Sequence, residues 1–135
     1  MQQSHIVSKV SIYLLSAVLI IFGLFHFKNP YDLVVYVPDF LPGGILWVYF
    51  VGAAFILVGI SFLTNRYVKV AGYVLAALLL VFIVSIHIPN ALNAGDATFR
   101  QIALISALKD TAIMGFALHI AASAHNQHLH FEESD

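Results

Sequence analysis

Lys109 and Asp110 stand side by side in an otherwise apolar run, Ile102 to Ala122. A charged side chain at membrane depth is costly. It is kept where it faces other protein, a counter-charge or a water-filled cavity, and it marks a functional candidate by default. On insertion scales a central Lys and Asp together cost roughly 5–7 kcal/mol, and the eight Leu, Ile and Phe residues of the run return only about 2.4–4.8 kcal/mol. Such a helix is not expected to sit alone in lipid. Companion spans must pack it and supply partners for the two charges. Either the pair holds the helices together through polar contacts, or it serves a bound ligand or a proton path. Ser106 lies four residues before Asp110 and shares its helix face. His26, Lys28, His87 and Asn90 fall near span ends and complete the set of candidate ligand-binding residues, although histidines at such ends are commonly interfacial.

The chain as a whole imposes the same setting. It is 61% hydrophobic and 10% charged over 135 residues, with mean hydropathy +0.91. A soluble domain of this size needs a more polar surface. The formal net charge of −1 leaves no basic footprint for nucleic acid. The absence of cysteine removes thiol–disulfide relays, iron–sulfur ligation, c-type haem attachment and Cys-rich zinc sites. No carboxylate–His spacing suggests a metal centre. His125, His128 and His130 cluster, but beside Glu132, Glu133 and Asp135 they read as a solvated tail.

Four segments approach the ~20 apolar residues needed to cross a bilayer: residues 7–27, 45–63, 68–88 and 102–122. They predict an all-α fold, a single integral membrane four-helix bundle with a short tail over 123–135. Pro30, Pro38, Pro42 and Pro89 all fall at or beyond predicted helix ends, and Thr64-Asn65-Arg66 reads as a tight turn. The first segment has an apolar run longer than the usual ~7–15 residues of a signal peptide, and its bulky end, Leu24-Phe25-His26-Phe27, suits no cleavage site. It is read as a retained span. Lys9, Arg66 and Lys69 flank one side against Lys28 and Arg100 on the other, which favours cytoplasmic termini.

This topology gathers the polar residues at one leaflet: His26, Lys28, Tyr31, Asp32, Asp39, His87, Asn90, Asp96 and Arg100. Lys109 and Asp110 lie roughly 10–12 Å below them at 1.5 Å per residue. Tyr31, Tyr36, Trp47 and Tyr49 fall where an interfacial aromatic belt is expected. Gly52 and Gly59, seven apart, are natural points for close approach by a neighbouring helix.

Several stretches resemble the DoxX-like family of small four-span membrane proteins. They are Gly23-Leu24-Phe25-His26-Phe27-Lys28-Asn29-Pro30, Val37-Pro38-Asp39-Phe40-Leu41-Pro42, Trp47-Val48-Tyr49 with Gly52, Val58-Gly59-Ile60-Ser61-Phe62-Leu63 and His87-Ile88-Pro89-Asn90. The likeness covers about residues 11–122. Relatives often carry a Glu in the second span, where this chain reads Gly52-Ala53-Ala54-Phe55. The resemblance implies the four-span fold and, more loosely, a redox-associated subunit. Characterised relatives include the membrane subunit of a thiosulfate:quinone oxidoreductase and a component of a mycobacterial membrane oxidoreductase complex, and distant ones assemble other membrane proteins.

Two functions are therefore expected from different classes. One is a bilayer-embedded subunit binding a quinone or similar lipophilic ligand between spans, with electrons expected from a partner redox protein, because the sequence shows no obvious electron-carrying centre. It would be at most a non-catalytic or partner-dependent subunit of an oxidoreductase. The other is a non-enzymatic assembly or scaffolding factor. A bacterial inner-membrane location and a homo-oligomer are compatible with both.

Overall fold

The computed structural model describes residues 2–35, 37 and 39–124. Tyr36, Pro38 and the histidine-bearing tail lie outside the described residues. The elements are α1 (Gln2–Lys28), α2 (Pro30–Val34), α3 (Gly44–Thr64), α4 (Val68–Phe82), a π-helical turn (Ile83–His87), α5 (Ile88–Asn93) and α6 (Ala97–Ser123). No strand occurs among the described residues. Four helical runs are long and apolar enough to cross a membrane: Ile6–Lys28, Gly44–Thr64, Val68–Asn93 and Ala97–Ser123. The protein is all-α and integral to the membrane.

Local chemistry sets the element ends. Pro30 takes the first turn of α2, where its missing N–H costs nothing. Gly43, at φ +75°, precedes α3, and Asn65, at φ +57°, closes it by donating its N–H to Phe62 O and Ser61 O. The side chain of Ser61 donates to Arg66 O across the same turn.

The chain divides into two compact units, Met1–Ala71 and Gly72–Asp135. In the first, α1 and α3 pack antiparallel along a seam of small residues. A Cβ placed on Gly52 would lie 2.6 Å from His26 Cβ and 3.0 Å from Gly23 O. On Gly59 it would lie 2.7 Å from Ile20 Cγ1 and 3.0 Å from Ser16 O. Gly23 thus faces Gly52 and Ser16 faces Gly59, seven residues back on α1 for seven forward on α3. Two heptad-spaced small residues on each helix let the backbones approach closely, the packing that substitutes for a hydrophobic drive in lipid. Ser16 is fully buried and returns its hydroxyl to Ile12 O at 2.7 Å, so it brings no unsatisfied group into the seam.

In the second unit, Gly72, Leu75, Ala76, Leu79 and Ile83 are buried along one face of the third span. Ala103, Ala117, Ile120 and Ala121 are buried on α6. A Cβ on Gly72 would meet Ala117 O at 2.8 Å and Ala121 Cβ at 2.9 Å, so the close-approach device recurs here. Asp96 caps α6, its Oδ1 accepting the N–H of Phe99 at 2.6 Å. That explains one acidic member of the expected polar leaflet structurally.

Candidate functional site

The third span does not stop at Pro89. The sequence predicts a break there, but helix continues through Asn93. The difference has a local cause. A proline inside a helix lacks the N–H for residue i−4, here Ser85, and its ring crowds that carbonyl. The backbone relieves this one turn earlier by widening: the N–H of Ile88 bonds Ile83 O, five residues back, in the π-helical turn Ile83–His87. Such one-turn widenings keep a helix going while re-aiming the side chains at their end. His87 is the residue at that end.

Its imidazole Nε2 lies 2.8 Å from Asp110 Oδ2. When the carboxylate is ionised it only accepts, and Nε2 then donates, leaving Nδ1 as the remaining ring nitrogen. The side chains are 18% and 13% exposed. Both are mostly withdrawn from surroundings, and neither is sealed off. In a low-dielectric setting the contact is a charge-assisted hydrogen bond whenever Asp110 is ionised, and each group offsets the other's desolvation.

The periodicity of α6 explains why Asp110 is the inward residue. The least exposed positions, 103, 106, 107, 110, 113, 114, 117, 120 and 121, recur at three- and four-residue steps. Asp110 belongs to that stripe. Lys109, about 100° around the helix, is exposed. The neighbours that sequence treats as one charged pair therefore take different faces. Ser106 is half-buried one turn before Asp110, and Asn90 is half-buried on α5, which packs on α6. His87 and Asp110 form the core of the candidate site, with Ser106 and Asn90 flanking them along their own helices.

His26 and Lys28 belong to the first unit. His26 Nδ1 donates to Phe22 O at 2.7 Å, its ring meets Phe55 edge-on with centroids 5.5 Å apart, and it is half-buried. Lys28 is exposed at the end of α1. Among the described residues, no group of three or more His, Asp or Glu is arranged to hold a metal ion. Sequence reasoning named His87 and Asp110 separately and missed their pairing. The signal available was a proline two residues after a histidine within an apolar run: such a proline usually ends a helix, but it can also widen the turn before it.

Four membrane-length helices and an intramembrane His–Asp contact define a small polytopic membrane protein with a polar site inside one helical unit. The chain belongs to the family described as a domain of unknown function, DUF8561, whose model matches residues 15–124. Comparison with curated proteins and with solved structures gave no match.

Proposed function

We propose that this protein is a redox-associated membrane subunit that binds a lipophilic, carbonyl-bearing molecule of the quinone class beside His87 and Asp110. The observation that carries this reading is the 2.8 Å contact between two titratable side chains in an apolar helical unit, both still partly accessible. Reduction of a quinone takes up two electrons and two protons. The His–Asp pair holds and relays protons to the ring oxygens, and a partner redox protein supplies the electrons. Ser106 and Asn90 add neutral hydrogen-bonding groups that suit a carbonyl, in keeping with pockets that are mostly apolar with a few placed polar groups. The DoxX-like motifs, including His87-Ile88-Pro89-Asn90, support kinship with redox-linked four-span proteins. The basic residues Lys9, Arg66 and Lys69 support cytoplasmic termini, and the membrane proposed is a bacterial inner membrane.

The test is thermal unfolding of the purified protein with short-chain ubiquinone and menaquinone analogues. Wild type is stabilised by the analogue it accepts, because a ligand that binds only the folded state raises its stability. Asp110→Asn and His87→Gln lose that stabilisation. A wild-type protein indifferent to both analogues overturns the proposal.

A second reading is favoured by the position of the pair between the π-helical turn and α6. There it can lock two helices of an assembly or scaffolding factor. In that case His87→Leu and Asp110→Leu together restore the folding that either change alone impairs, and no quinone analogue stabilises the protein.

A further inference from the structure

The connection between α1 and α3 is more apolar on its outside than a water-exposed loop tolerates. Tyr31, Val35 and Phe40 are 76%, 74% and 77% exposed. Exposed apolar side chains along the spanning helices are accounted for by the hydrocarbon around them. These three lie outside every spanning helix, so that explanation does not reach them. Isolated surface apolar residues are ordinary, but three large ones within ten positions of a short connection form a patch that needs a cover.

Geometry indicates which cover. Tyr31 and Val35 are four apart across α2, which puts them on the same side of it. The connection is anchored to both spans it joins. Phe27, near the end of α1, stacks on Tyr49 of α3 with centroids 5.5 Å apart and planes 23° from parallel. The indole N–H of Trp47, in the first turn of α3, donates to Pro42 O at 2.9 Å. The three side chains fall between the end of one span at Lys28 and the start of the next at Gly44, and those span ends themselves expose Phe25, Phe27, Leu46 and Trp47. Lys28, Asp32 and Asp39 are exposed in the same stretch. One lysine against two aspartates offers no attraction to anionic headgroups.

We propose that α2 and Phe40 lie in the zwitterionic headgroup layer of the bilayer, with Tyr31, Val35 and Phe40 dipping toward the acyl chains. They form an interfacial anchor that fixes the depth of α1 and α3 in the membrane. This inference is independent of the quinone reading, because it concerns the first unit and no ligand.

Trp47 is the only tryptophan, which allows a clean reporter. In the full chain carrying Trp47→Phe, the substitution Phe40→Trp moves the single indole into the connection, and Tyr31→Trp does the same at α2. Each variant is placed in phosphatidylcholine vesicles whose acyl chains are brominated either near the headgroup or near the chain end. The expected result is strong quenching by the headgroup-proximal bromines, weak quenching by the deep ones, and protection from aqueous iodide. Quenching by iodide with no response to brominated lipid puts the connection in water and overturns the proposal. Protection from both quenchers that grows with protein concentration assigns the patch to a second copy of the chain and also overturns it. Unchanged far-ultraviolet circular dichroism in each variant confirms that the fold is intact.

Discussion

His87 Nε2 and Asp110 Oδ2 meet at 2.8 Å across a sequence separation of 23 residues, joining the end of a π-helical turn to the inward stripe of α6. Removing one partner strands the other in an apolar unit. His87→Leu or Asp110→Leu alone is expected to destabilise the folded protein by about 1.5–3 kcal/mol, the range for hydrogen bonds to charged groups. The double substitution should cost clearly less than the two singles summed. Unfolding in detergent micelles, run as a double-mutant cycle, measures the coupling.

Pro89 sets the aim of His87 through the widened turn. Pro89→Ala supplies an N–H for Ser85 O and removes the ring's clash, so the helix can regain ordinary α register. One residue of register is about 100° of rotation, enough to turn the imidazole away from Asp110. The His87–Asp110 coupling is expected to fall toward zero in the Pro89→Ala background while helical content holds or rises. An unchanged coupling would show that Pro89 does not fix the turn.

The α1–α3 seam makes a sharper steric prediction. Gly52→Leu and Gly59→Leu drive side chains into His26 Cβ, Ile20 and the backbone oxygens of Gly23 and Ser16. Backbone cannot move aside cheaply, so each should destabilise by about 1–3 kcal/mol or more. Gly115 has nothing within 4 Å of its Cβ position, and Gly115→Leu should leave stability nearly unchanged. Thermal unfolding of the three variants side by side checks the contrast.

At the start of α6, Asp96→Ala removes the acceptor for the Phe99 N–H. The expected loss is about 1 kcal/mol, typical for a helix N-cap, and Asp96→Asn should recover most of it. Hydrogen exchange at Phe99, compared across the three proteins, reports the capping bond directly.

Sequence alone determined the membrane setting and the helices. The length of each apolar run is a one-dimensional property: about twenty residues of hydrocarbon-soluble side chains can only span as helix, because lipid offers the backbone no other partners. Gly52 and Gly59 were legible as close-approach points for the same reason, since heptad spacing puts both on one face whatever the neighbour is. The neighbour itself, with Gly23 and Ser16 in antiparallel register, came only from the packed structure.

The candidate site was half legible. Asp110 and His87 stood out as polar groups in apolar runs, but adjacency in sequence joined Asp110 to Lys109. Adjacent helical residues point about 100° apart, and the inward stripe of α6 took the aspartate and left the lysine exposed. Pro89 read as a stop because a missing N–H usually ends a helix, yet a helix packed on one side by α6 can widen by one residue and continue. Which of those two outcomes a proline produces depends on what packs against it. That is decided by tertiary contacts, and with it the meeting of His87 and Asp110.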